Sequence, residues 1–221
     1  MFVNDYLNHW NEAKEGTEAA KDLLRRAEGP LQEALRIDAS IAMAHFADGL
    51  IRRVKGDHQG ALDAFERAVQ LDPNFARAHA QHANQLVMVG RPREAPPLVL
   101  RAMNLSPRDP FVGGFYWVLG RAYFVMRDYD NAIIWLRRST EVLPNVWFNR
   151  AYLLAAYALT GRHQGAEALA ASNDYKSGFA GYNVERIRNL YATEFPHPDP
   201  GMQASIQELY EGLRLAGVAE R

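Results

Sequence analysis

Three stretches of this chain repeat one pattern in different residues, and that repetition restricts the fold more than any other feature. GDHQGALDAFERAVQLDP (56–73), GRPREAPPLVLRAMNLSP (90–107) and RDYDNAIIWLRRSTEVLP (127–144) each open on a turn and place alanine at a matching spot, Ala61, Ala95 and Ala132. Four residues later comes a bulky apolar residue, Phe65, Val99 or Leu136, and each stretch closes on proline, Pro73, Pro107 or Pro144. The first two are in register at a shift of 34 residues, and the third needs three more, supplied by the RDPFV loop at 108–112. Ahead of each lies an apolar run with helical spacing, clearest in Tyr116, Leu119, Gly120 and Tyr123. Helix, turn, helix and proline at this period describe a unit that cannot bury its apolar face alone and must stack on its neighbours.

The pattern resembles the tetratricopeptide repeat (TPR), whose first helix carries an aromatic, a leucine, a small residue and a tyrosine, and whose second carries alanine, a bulky residue, a small residue and then proline. The unit from Gly113 matches with Tyr116, Leu119, Gly120, Tyr123, Ala132, Leu136, Ser139 and Pro144. The unit from Ala42 keeps Gly49, Ala61, Phe65, Ala68 and Pro73, but Asp48 and Arg52 stand at its leucine and tyrosine positions, which leaves room for a rotated first helix. The unit from Ala76 keeps Ala83, Ala95, Ala102 and Pro107; the unit from Trp147 keeps Leu153, Tyr157 and Ala166 and loses the pattern at Asn173. A degenerate unit with Ala27, Leu31 and Ala34 in phase precedes them, and a half-repeat with Ile187 and Tyr191 follows. The resemblance implies an all-α fold: one domain over 1–221, a right-handed α-solenoid of about five TPR-like helix pairs with a C-terminal capping helix. The units are 1–40, 41–75, 76–109, 110–145 and 146–175, followed by 176–221. Gly120, Ala132 and Ala166 sit where a larger side chain would push a pair apart.

Proline sets the breaks. Pro96-Pro97 should delay the second helix of its unit to a start near Ala95, and Gly29-Pro30 predicts two short helices over 18–37. Beyond Ser172, NDYKSGFAGY (173–182) is polar; helical periodicity resumes in VERIRNLYATEF (184–195) and ASIQELYEGLRLAG (204–217), separated by FPHPDPG. The last amphipathic helix is expected to cap the solenoid, with docking in its groove as the alternative. HPDP (197–200), EGLRLAG (211–217) and SPRDP (106–110) resemble the C-terminal TPR region of bacterial multidomain proteins related to class III adenylate cyclases. That resemblance implies a regulatory or sensory interaction module of bacterial signalling without nucleotide chemistry.

Little in the chain suggests a reaction. Lys plus Arg is 25 against 26 for Asp plus Glu, a formal charge of -1 that provides no field for nucleic acid or an anionic membrane. There is no cysteine, which suits a reducing compartment, and MFVNDYLNHW at the start lacks the features of an export signal, so a cytoplasmic protein is expected. The apolar stretches 111–120 and 151–160 are too short to span a bilayer. His45, His79 and His82 read as packing residues, since no HExxH or cysteine spacing accompanies them. Gly113-Gly114 has no phosphate-loop context and fits a bend or close packing at a helix start. Asp63, Glu66, Glu94 and Glu141 read as solvated outer-face acids. No metal, no cofactor and no enzyme activity are expected.

In the TPR family the first helix of each pair lines a concave groove. Carried over position by position, the resemblance implies a peptide-binding lining of Arg53, Arg77, Gln81, Asn84, Trp117, Arg121, Phe124, Phe148 and Tyr152, with Phe46 and Leu50 at one end. Phe46 and Leu50 stand where a chaperone-tail-binding TPR needs Lys and Asn, so no chaperone partner is implied. The expected guest is a protein or peptide segment with acidic and apolar residues, because arginine forks match carboxylates and aromatic rings supply anchor area. Trp117, Phe148 and Tyr152 could equally pack beneath the last helices or in a homodimer.

Overall fold

A computed structural model describes residues 18–162, 165–179, 181–193 and 199–221. The opening MFVNDYLNHW and part of the HPDP motif lie outside the described residues, as does the side chain of Ala166. Among the described residues there are eleven α-helices and no strands. A single helix, α1 (Glu18–Ile37), is followed by four pairs: α2 (Ala42–Val54) with α3 (His58–Leu71), α4 (Ala76–Met88) with α5 (Ala95–Leu105), α6 (Val112–Val125) with α7 (Tyr129–Val142), and α8 (Trp147–Leu159) with α9 (Ala166–Gly178). The chain ends in α10 (Val184–Thr193) and α11 (Pro200–Leu215). The result is an α-solenoid.

One turn is built four times. Gly56, Gly90, Arg127 and Gly161 follow the first helix of each pair with φ of 78°, 80°, 61° and 72°. In each case the next amide donates back over the turn: Asp57 to Arg52, Arg91 to Leu86, Asp128 to Tyr123 and Arg162 to Tyr157. This left-handed exit satisfies the last carbonyls of the helix and reverses the chain. Asp57 and Asp128 then cap the second helices by accepting from the amides of Gly60 and Asn131. Where the second unit lacks an Asp cap, Pro92–Glu94 forms a 3-10 turn and α5 starts at Ala95, with Pro96 and Pro97 in its first turn as expected.

Small residues set the distance within pairs. A Cβ at Gly120 would come within 2.6 Å of Leu136 Cγ, and one at Gly49 within 2.7 Å of the Phe65 ring. Gly49 therefore faces α3 as the pattern requires, and α2 keeps the regular register although Asp48 and Arg52 replace two apolar residues. Buried Asp48 accepts from Arg52 at 2.7 Å, and Arg52 also reaches the capping Asp57 at 2.9 Å, so an ion-paired chain takes the place of the apolar pair. Gly113 serves close packing against Val142 and Leu143.

Two expectations are corrected. Residues 18–37 form one helix with Pro30 inside it. Pro30 removes one backbone donor, but Ala27, Leu31 and Leu35 pack on α2 from both sides of the break and Glu28 pairs with Lys55, which holds the two halves in line. Likewise α9 continues through Asn173 to Gly178. Tyr175, 1% exposed, anchors that last stretch by donating to the Tyr182 carbonyl at 2.7 Å.

Successive first helices touch one another, α4 with α6 and α6 with α8, more than successive second helices do, which places the first helices on the inner side of the stack. The terminal helix α11 packs on α8 and also on α6, so it caps the apolar end of the stack while lying across the inner face. Gly212 permits this: a Cβ there would meet Ala155 Cα and its carbonyl oxygen at 2.8 Å. Met202 at its start joins Val87 and Ala122 in one cluster, and Leu209 and Leu213 join Tyr152 and Ala155 in another.

Candidate functional site

The inner-face residues fall into three groups. At the N-terminal end, Phe46 and Leu50 are buried in the α2–α3 core, and half-buried Arg53 donates Nη1 to Gln81 Oε1 at 2.7 Å across the α2–α4 step. Arg77 stands apart from them. It lies 3.9 Å over the Phe111 ring and donates Nε to Asp109 at 3.4 Å, so the RDPFV insertion that broke the repeat spacing grips it. Asp109 in turn accepts from the Phe111 amide at 2.8 Å. No pattern in the repeats singles out Asp109 and Phe111; the three-residue excess was their signal.

Toward the C-terminal end the aromatic residues converge. Trp117 lies 4.6 Å from Phe148 and 5.1 Å from Tyr152 between ring centroids, and Phe124 lies 4.8 Å from Tyr152. The two pairs differ in access. Phe124 and Tyr152 are fully buried beneath the C-terminal helices, whereas Trp117 and Phe148 keep part of their surface. The covering groups are specific: Tyr191 of α10 shares a 3.1 Å hydrogen bond with the Tyr152 hydroxyl, and Glu208 of α11 accepts from Tyr129 at 3.0 Å and pairs with Arg127. Burial, then the Glu208 contact, pushes the Tyr129 hydroxyl up to about 12. Burial pushes Tyr191 well above the ordinary tyrosine value.

Between the two groups Arg121 donates Nη1 to Asn84 Oδ1 at 3.3 Å and lies 6.0 Å from the Trp117 ring. The structure thus brings Arg121, Asn84, Trp117, Phe148 and Tyr152 together and joins Arg53 to Gln81, while Arg77 belongs to its own loop. Among the described residues the partly exposed part of this face is Arg53, Gln81, Asn84, Trp117 and Phe148, while Arg121 and Tyr152 are buried, and no cluster of reacting groups lies there.

His45 and His79 have a structural task. His45 Nε2 contacts the Ala39 carbonyl at 2.9 Å, His79 Nε2 the Pro73 carbonyl at 3.0 Å, and Arg150 Nε donates to the Pro144 carbonyl at 3.0 Å. The same repeat position tethers the loop before its helix each time. Among the described residues no three potential metal ligands converge, and no helix is long and apolar enough to cross a membrane. Asp63, Glu66, Glu94 and Glu141 are exposed.

Stacked helix pairs with an inner face of first helices define a helical-repeat protein. Within it, residues 114–145 match the family model described as tetratricopeptide repeat, a family of generally non-catalytic interaction modules. No curated protein sequence matches the chain. Among solved structures it is similar to PilW, described as a widely conserved type IV pilus biogenesis factor, with a TM-score of 0.68 at 16% identity over 96% of this chain and 90% of that one. Pseudomonas aeruginosa PilF gives 0.66 at 18% identity over 96% and 89%. YrrB, described as a TPR protein with an unusual peptide-binding site, gives 0.56 at 20% over 82% and 86%. These similarities show the fold.

Proposed function

We propose that this chain is a non-catalytic protein-interaction module that holds a peptide segment of a partner on the open strip of its inner face. The observation that supports the reading is the partly exposed Trp117–Phe148 pair beside Arg121 and Asn84, at the edge of the surface that α10 and α11 cover. Aromatic area flanked by an arginine and amides suits an extended or helical segment with apolar and acidic side chains. SPRDP and EGLRLAG favour a regulatory setting in bacterial signalling, and a cysteine-free chain suits a reducing cytoplasm. The test is a photo-crosslinking residue at Phe148 in cells, with one at Ile134, exposed on the outer helix α7, as control. The reading expects an adduct from position 148 that maps to one segment of one partner. Equal labelling from both positions would remove the inner face from consideration.

A second reading, self-regulation by the C-terminal helix, draws on the position of α11 over α6 and α8. Burial of Met202, Ile206, Leu209, Tyr210 and Leu213 weighs against easy release, since each such side chain contributes about 1.5–3 kcal/mol. On this account α11 is a fixed cover that decides which part of the inner face a guest can reach.

A further inference from the structure

The left-handed turn after each first helix meets different company in the four pairs. At Gly56 and Gly161 nothing lies within 4 Å of an added Cβ among the described residues, so these two glycines serve the backbone alone. The two middle turns touch α11. An added Cβ on Gly90 would press on the carboxylate of Asp199, which caps α11 by accepting from the Met202 amide at 2.8 Å. At the third turn glycine is replaced: Arg127, with φ of 61°, is the one non-glycine residue of positive φ among the described residues. A side chain is disfavoured in that conformation because Cβ crowds the next carbonyl oxygen. What Arg127 gains is a partner on another element. Its Nη2 pairs with Glu208 Oε1 of α11, and the second oxygen of that carboxylate accepts from the Tyr129 hydroxyl at 3.0 Å. The Glu208 side chain is only 17% exposed, so losing the arginine would leave a largely buried carboxylate short of its counter-charge.

We propose that Arg127 is a positioning residue for α11, kept at a strained turn because its side chain, together with the seat of Asp199 on Gly90, fixes where along the inner face the terminal helix lies. The proposal rests on the reading of α11 as a fixed cover and names what fixes it. The apolar stripe of α11, Met202, Ile206, Leu209 and Leu213, recurs with each turn of helix, so its packing alone discriminates weakly against a slip by one turn. Such a slip moves each carboxylate by about 5.4 Å, which takes Glu208 out of reach of Arg127 and Asp199 off Gly90. Asp199 and Glu208 stand roughly two and a half helical turns apart and meet the turns of two successive units, so they check the register at two points. Gly212 sets the close approach to α8; the two carboxylates set the position against the α4 and α6 turns.

The test is amide hydrogen exchange of the full chain with no guest present, read in α11, for wild type, Arg127→Gly, Arg127→Ala, Arg127→Lys and Glu208→Gln. Arg127→Gly removes the side chain and relieves the backbone at once, and it should still speed exchange in α11 about three- to tenfold. Arg127→Ala, which loses the pair and keeps the strained turn, should melt below Arg127→Gly, and Arg127→Lys, which keeps a cation, should restore part of the α11 protection. Raising the ionic strength should speed α11 exchange in wild type and leave Arg127→Gly unchanged, a response that a mere turn residue would not give. Glu208→Gln should add little to Arg127→Gly, since both remove one contact. If Arg127→Gly leaves α11 exchange at or below the wild-type rate, or if the two substitutions add in full, Arg127 does not position the helix. That result would leave the peptide-holding reading standing, because no guest takes part, and an absent crosslink from position 148 would leave the clamp standing.

Discussion

At the scale of single residues, the close contacts in the helix pairs and the charges at the C-terminus make the sharpest claims. Gly120 lies 2.6 Å, measured from an added Cβ, from a branched side chain that is fully buried, so Gly120→Leu forces α6 and α7 apart and should cost about 1–3 kcal/mol or more in a denaturant melt. Gly161 makes the opposite case: among the described residues nothing lies within 4 Å of an added Cβ, and the obstacle is its φ of 72°. Gly161→Ala should therefore lose about 1–2 kcal/mol through the backbone alone, seen as a lower melting temperature without a change of helix content. Glu220 is bound by Arg214 and Arg188, and these contacts hold its carboxyl down to about 2 from an ordinary 4.5. A depressed acid stabilises the fold above its unfolded value, and that contribution is lost as pH falls from about 4.5 through 2. The same tail accepts from the first amides of α10, Val184 to Ala219 and Glu185 to Glu220, so acid should fray α10 first. Glu220→Gln should flatten this acid limb in amide exchange of α10; an unchanged limb would show that the clamp does not hold the helix.

At the scale of helices, the seat of α11 depends on Gly212. In an isolated helix Gly→Ala gains about 1 kcal/mol, yet here the added methyl would press on backbone atoms of Ala155 that cannot rotate away. Gly212→Ala should thus be net destabilising, with increased exchange in α11; a stabilised variant would mean that α11 can slide on α8. The small–large pairs were legible from sequence because their spacing is locked to the repeat: Gly49 with Phe65 and Gly120 with Leu136 recur at fixed intervals whatever surrounds them. The continuity of α1 across Pro30 was not, because it depends on α2 supporting Leu31 and Leu35, which no local rule contains. Nor was the continuation of α9, since Tyr175 is a core residue only through a loop carbonyl seven residues on. For the candidate site, Trp117, Phe148 and Arg121 came from the resemblance to the tetratricopeptide repeat, carried over position by position, but which inner-face residues are covered depends on two helices beyond the repeats, whose docking follows from the shape of α6 and α8 rather than from their own pattern.

At the scale of the whole molecule, a stack of repeats is held by nearest-neighbour contacts and can open from either end. Helix α11 changes this for the C-terminal half. An added Cβ on Gly90, at the end of α4, would touch the Asp199 carboxylate that caps α11; Met202 shares a cluster with Val87 and Ala122; Glu208 ties to the α6–α7 turn; Gly212 rests on α8. One helix thus spans three successive first helices, and loss of its packing should be felt in all of them at once. Leu209 is fully buried at its centre, so Leu209→Ala should cost about 2–5 kcal/mol. Hydrogen exchange should then rise together in α4, α6, α8 and α11, while α2 and α3, whose core is built on Phe46 and Phe65 and which have no contact of note with α11, keep their wild-type protection. Uniform loss of protection along the chain would show a single cooperative unit, and loss confined to α11 would show a cover that lifts without disturbing the stack, the behaviour that self-regulation by this helix requires.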